Sequence, residues 1–205
     1  MIIDMHMHEM RYSGDSFLRL ENMVEIAKHR GLDGICITDH DSMGLKEFAA
    51  EYSEKTGFPI FVGIEFYSLQ GDIVAFGIED YPKERIPAQE FVDLVQAQGG
   101  MCFSAHPFRN NNRGLEENLK IVKGLDGIEV LNGSTLYEAN RKAAEYAAEL
   151  GLATVGSSDC HVPEKLGIYA TYFPREIRSV QELIRSVKRC ETLPVYYKEG
   201  GYYLW

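Results

Sequence analysis

"IIDMHMH", residues 2–8, sets three metal-capable side chains, Asp4, His6 and His8, at every second position of an apolar run. Successive side chains of a strand point to opposite faces, so these three share one face while Ile3, Met5 and Met7 share the other. The stretch reads either as a comb of ligands or as a buried strand with two hydrogen-bonded histidines. The rest of the chain decides between them.

Outward from this run the sequence alternates between strand-length apolar stretches and helical ones. "LENMVEIAKHRG", "GICITDHD", "MGLKEFAAEYSEKTG" and "PIFVGIEFYS" follow in turn, then "DIVAFGI", "AQEFVDLVQAQGG", "MCFSAHP", "LEENLKIVKGL", "GIEVLNG", "YEANRKAAEYAAELG", "LATVGSSDCH", "GIYATYF" and "SVQELIRSVKRC". Glycines close most of the helical segments. The alternation predicts a mostly parallel sheet covered by helices. Neither GxGxxG nor GxxxxGK[ST] occurs, which argues against an open nucleotide-binding sheet. A closed barrel, the alternative, would bring the strand ends to one mouth, and residues 1–205 are expected to form one domain. The tail "TLPVYYKEGGYYLW" predicts an aromatic β-hairpin over about 192–205, closing one end of the core or serving as a homo-oligomer contact.

Composition limits the function classes. Of 205 residues, 45% are hydrophobic, and 31 acidic against 21 basic side chains give a formal charge of −10. With no basic run to track a phosphate backbone, long nucleic acid is disfavoured as a partner. No run approaches the roughly 18 apolar residues of a membrane span, and no signal peptide is visible. Cys36, Cys102, Cys160 and Cys190 lie far apart and form no CxxC pair, the pattern expected of reduced thiols in a cytoplasmic protein.

The metal-capable residues fall at particular places. His6 and His8 end the first strand stretch, His40 ends "ICITDHD", Glu65 lies near the end of "IFVGIEF", His106 ends "MCFSAHP", and Asp159 and His161 follow "LATVGSSDCH". Five of the six histidines therefore sit at carboxyl ends of predicted strands, whereas His29 lies on a charged helix. Imidazole and carboxylate without thiolate suit zinc, manganese or iron. Seven candidate ligands are too many for one tetrahedral ion.

The set "DMHMH", "TDHD", "GIEF", "AHP" and "SSDCH", in this order, resembles the PHP (polymerase and histidinol phosphatase) family of metal-dependent phosphoesterases, over residues 2 to about 170. The stretch from "GIEVLNG" to "SSDCH" is similar to the later part of stand-alone bacterial and archaeal members, and the resemblance implies a distorted (βα)7 TIM-like barrel. The resemblance implies one metal held by His6, His8, Glu65 and Asp159, a second held by His106 with Glu65 bridging, and a third held by Asp15, His40 and His161. It also implies a histidine on the short strand after the bridging glutamate. Here that run is "VAFGI", with Val74 read at the position, so the expectation is two firm divalent ions and a partial third site.

The implied activity is hydrolysis of a phosphoester of a small metabolite or nucleotide through a metal-bridging hydroxide, with no serine or cysteine intermediate. Arg11 and Arg109, shortly after ligand histidines, are expected to hold phosphate oxygens, and Arg11 to assist catalysis. Asp4 and Asp39 are expected to orient imidazoles through their other nitrogen, with protonation of the leaving group as an alternative role for Asp39. Glu129 and Asn132 end a strand and are candidates to face the substrate, Glu129 alternatively as a buried partner of an arginine. Hydrolysis of an amide, carbamate or lactone, a nuclease acting on short oligonucleotide ends, and a non-catalytic metal-binding module are the competing readings.

Overall fold

The computed structural model describes residues 1–205. The chain opens with β1 (Ile2–Asp4), α1 (Leu20–His29), β2 (Gly34–Ile37), α2 (Lys46–Thr56) and β3 (Ile60–Val62), in which β1 and β3 both pair with β2 in parallel. β4 (Ile64–Tyr67) and β5 (Asp72–Phe76) form an antiparallel hairpin, followed by α3 (Ala88–Ala97) and β6 (Met101–Ser104). Then come β7 (Gly127–Asn132), α4 (Tyr137–Leu150) and β8 (Ala153–Ser157), with β6, β7 and β8 parallel. β9 (Tyr169–Tyr172), α5 (Val180–Lys188), β10 (Leu193–Lys198) and β11 (Gly201–Leu204) complete the chain.

Local chemistry accounts for the helix boundaries. Gly57 and Gly151 end α2 and α4 in the left-handed conformation, at φ 63° and 65°. Ser179 and Glu182 form a reciprocal capping box at the start of α5. The stretch "LEENLKIVKGL", expected to be helical, forms only one 3₁₀ segment, Glu116–Lys120.

The strands make two sheets and no closed barrel. One has the order β11-β10-β9-β1-β2-β3 and the other β4-β5-β6-β7-β8. This corrects the expectation of a (βα)7 TIM-like barrel, and the reason lies at the two seams. At Gly63 the chain passes from one sheet to the other, where a Cβ would overlap the Ala75 carbonyl oxygen. Between β8 and β9 side chains replace a ladder: Thr171 Oγ1 accepts from Gly156 N–H at 3.0 Å and donates to the Gly156 carbonyl at 2.7 Å. The sheets meet through two isolated bridges, Met7 with Cys160 and His40 with Glu65. The C-terminal hairpin β10–β11 forms the edge of the six-stranded sheet.

Buried apolar side chains fill the space under the helices, with Phe66 of β4 stacked on Phe91 of α3 at 4.1 Å. No helix is long and apolar enough to cross a membrane. The four cysteines are free thiols.

Candidate metal centre

Beyond β1 the run Met5–His8 stays buried, with Met5 and Met7 in the core. His6 and His8 turn the other way, into a cluster completed by Glu65, His106 and Asp159. Of the three alternate positions, His6 and His8 join this cluster and Asp4 does not.

The hydrogen-bond network assigns the tautomers of the first two imidazoles. His6 Nδ1 lies 3.2 Å from Glu129 Oε1, an acceptor, so it carries the proton. Ser13 Oγ donates to Asp39 Oδ1 at 2.8 Å, so its contact with His8 Nδ1 at 3.2 Å is accepted from the imidazole. In the neutral imidazoles both Nε2 atoms are then bare, and they stand 3.0 Å apart. Around them are Glu65 Oε1 at 3.4 Å and Asp159 Oδ1 at 3.7 Å from His6, and Asp159 Oδ1 at 3.3 Å from His8. Lone pairs converging in a buried space need a positive charge among them. Two ligands at metal-bond length from one ion stand about 3.0 Å apart at a right angle and about 3.4 Å in a tetrahedron, so these separations fit a shared cation.

Glu65 links this group to the rest. Its Oε1 accepts from His106 Nε2 at 2.9 Å. Its Oε2 lies 2.6 Å from His40 Nδ1, yet neither atom finds a hydrogen-bond partner of acceptable geometry, and both are buried. That orphaned pair again fits ligands facing an ion. Asp15 Oδ2 reaches His40 Nε2 at 3.4 Å and His161 Nε2 at 3.3 Å. His161 Nδ1 is 3.2 Å from the Asp159 carbonyl, to which it donates, so its Nε2 is bare as well. Here the cluster opens: Asp15 is 60% exposed, His40 26% and His161 25%, while His6, His8 and Glu65 are sealed. All eight expected ligands lie in one connected constellation. His106, Asp159 and Asp41 hold positive φ values of 27°, 49° and 49°, backbone strain concentrated beside the site.

Charge in the constellation is strongly coupled. Burial disfavours ionisation of His6, but Asp159, Glu129 and Glu65 outweigh it and hold the imidazole well above its usual range. Burial likewise opposes ionisation of Glu65 and Asp159, and His6 foremost holds both well below the carboxylate range. His8, pushed down to about 4 by burial, is neutral. Metal binding must displace the His6 proton or meet its imidazole already neutral.

Several expected roles need correction. Asp39 is buried and touches no imidazole directly: its Oδ1 accepts from Glu9 N–H at 2.6 Å and from Ser13, so it orients His8 through Ser13. Asp4 contacts no imidazole; it accepts from the Ser158 and Gly167 backbone at 2.9 and 3.0 Å and anchors the segment that carries Asp159. Arg11 lies over the Phe48 ring at 4.1 Å and beside Glu9 and Glu21, away from the cluster. Arg109 does reach the site, bonding Asp159 Oδ2 directly and Asn132 Oδ1 at 2.7 Å. Asn132 is buried and donates to Glu129 at 2.9 Å and Asp159 at 3.1 Å, so it positions ligands and does not face the substrate. Glu129 is buried too, accepting from Ser157 Oγ, from His106 N–H at 2.6 Å and from His6.

Val74 is a core residue, opposite Glu65 in the β4–β5 ladder and Phe103 in the β5–β6 ladder. The side chain that β5 offers the site is Asp72, 3.7 Å from His106 Nε2. Sequence reasoning missed it because β5 runs antiparallel to its neighbours, which puts its first residue, not its last, at the site. Asp72 and Val74 share a face by strand alternation, and that was the available signal.

Imidazoles and carboxylates converging where the two sheets meet are a donor set suited to divalent metal. The sequence profile of the PHP-associated family matches residues 137–192. A Caldicellulosiruptor saccharolyticus protein named "Probable phosphatase" is 24% identical over 209 residues, 97% of this chain and 78% of its own. Two solved structures share the fold at TM-score 0.69. One, from Bifidobacterium adolescentis and assigned as a metal-dependent phosphoesterase, has 19% identity and covers 92% of this chain and 96% of its own. The other, an amidohydrolase from Chromobacterium violaceum with bound sulfate and no metal, has 20% identity and covers 96% and 98%. The chain is thus similar, over residues 137–192, to the PHP-associated family and, over most of its length, to proteins named as a phosphatase and a metal-dependent phosphoesterase.

Proposed function

We propose that the chain hydrolyses a phosphoester of a small metabolite or nucleotide, with divalent manganese, zinc or iron held by His6, His8, Asp15, His40, Glu65, His106, Asp159 and His161. The observation that carries this reading is the pair of bare Nε2 atoms of His6 and His8, 3.0 Å apart in a buried, carboxylate-lined space. When bound, the ions supply Lewis acidity, lowering the pKa of water and neutralising charge that builds on a phosphoryl group. Glu129 and the Ser13–Asp39 pair keep the Nδ1 protons of His6 and His8 turned away from the centre. The exposed side at Asp15, His40 and His161 admits the substrate, and Arg109, with its guanidinium on Asp159, offers the nearest donors to a phosphate oxygen.

A second reading, attack on an amide, carbamate or lactone carbonyl, draws on the Chromobacterium amidohydrolase. The sulfate that this relative binds is a tetrahedral oxyanion of phosphate's shape, which favours the phosphoester. The test is phosphate release by manganese-reconstituted protein across phosphomonoesters, nucleotides and short oligonucleotides, with His40→Ala as control. Turnover of one class, lost in the variant, supports the proposal. Silence in metal-loaded protein, with turnover of a carbonyl panel, replaces it with the second reading.

A further inference from the structure

The corner formed by Glu65, His106 and Asp72 differs from the His6–His8 corner in how its arginine sits: Arg109 bonds Oδ2 of Asp159 and leaves Oδ1 to the imidazoles, whereas Arg113 takes both oxygens of Asp72. Asp72 is fully buried, and both its oxygens accept from Arg113: Nε to Oδ2 at 2.6 Å and Nη2 to Oδ1 at 2.8 Å. The Arg113 carbonyl in turn accepts the Asp72 N–H at 2.7 Å. The two segments touch backbone to backbone, since a Cβ on Gly71, at φ 152°, would meet Gly114 and Leu115. The guanidinium also lies over the Tyr67 ring, 4.3 Å from its centre. Arg113 is therefore a clamped fork and not a solvated loop side chain.

Asp72 Oδ2, the oxygen 3.7 Å from His106 Nε2, is the one already engaged by Arg113 Nε. His106 in turn hydrogen-bonds Glu65. An ion bound by Glu65, His106 and Asp72 would share that carboxylate with a guanidinium that does not deprotonate.

We propose that Arg113 takes the place of a metal ion at this corner: clamped by Asp72, it supplies the positive charge that Glu65, Asp72 and His106 would otherwise draw from a third ion, and the chain binds two ions. The proposal rests on the metallohydrolase reading and narrows it. Burial works against the Arg113 charge, but Asp72 and then Glu65 hold its proton more firmly than in a free arginine.

The test is the metal content per chain of protein reconstituted with manganese, freed of loose ions by gel filtration and measured by elemental analysis, for wild type, R113K and R113Q. Two ions are expected in the wild type and in R113K, which keeps the charge, and three in R113Q, whose Asp72 loses its cation. Any other wild-type count overturns the proposal, as does folded R113Q that stays at two. If R113Q fails to fold, the wild-type and R113K counts decide alone. A wild-type count of zero also removes the metallohydrolase reading, whereas two ions without phosphate release would leave the Arg113 assignment standing and move only the substrate.

Discussion

The two ends of the sheets present opposite kinds of surface. At the carboxyl ends of the parallel strands, imidazoles and carboxylates crowd to within 3 to 4 Å of one another, most of them sealed from solvent. At the other end, around Met1, Asp33, Pro59 and Gly77, lies a cavity of about 900 Å³, open and lined by ordinary charged and apolar side chains such as Lys46, Glu79 and Ile177. This roomy hollow is thus not where the chemistry is. Convergent lone pairs with protons directed away from them mark a site better than volume does, because such crowding is unfavourable until a cation relieves it.

Substitutions sharpen this contrast, with the largest effects at the cluster. Glu65→Gln removes the carboxylate that contacts His6, His40 and His106, and is expected to lower phosphate release by about 10³-fold while the metal-free protein keeps or gains thermal stability. A large loss of fold stability instead would mean the cluster is structural. Glu129→Gln and Ser13→Ala leave every ligand in place but release the Nδ1 protons of His6 and His8. Titration should show manganese affinity about 10–100-fold weaker.

Asp4 tests the buried polar network that anchors the cluster. Burial raises its pKa to about 7, against the usual value near 4 in the unfolded chain. Between those values the unfolded chain has released the proton that the folded protein keeps, so raising the pH disfavours folding. Denaturation from pH 4 to 8 should show wild type losing stability relative to Asp4→Asn, by at most about 4 kcal/mol. A pH-independent difference would contradict the assignment. In the core of the five-stranded sheet, Val74→Ala should cost about 2 kcal/mol of stability with activity per folded molecule unchanged. At the far end, Lys46→Gln breaks a half-exposed pair with Glu79 and should change stability by under about 1 kcal/mol and activity not at all.

Much of the site was legible in the sequence, and less of the fold. His6, His8, His40, His106 and His161 could be read from their places because a parallel strand delivers its last side chains to one end of a sheet. Asp72 was missed because the hairpin reverses β5, so that its first residue and not its last stands at the site. The barrel expectation failed for a related reason. Periodicity distinguishes strand from helix but does not tell whether β8 and β9 share a ladder or, as here, a threonine hydroxyl. The positioning roles of Ser13, Glu129 and Asn132 depend on partners far away in sequence, such as Asp39 and Asp159. Arg11 and Arg109 looked equivalent as loop arginines, and only packing separated them.

The most direct test of the central claim is anomalous diffraction at the manganese edge from crystals of reconstituted protein. Peaks are expected within bonding distance of His6 Nε2, His8 Nε2, Glu65 and Asp159, and between Asp15, His40 and His161. Manganese bound elsewhere, or no peak inside the cluster of a fully loaded crystal, would contradict it.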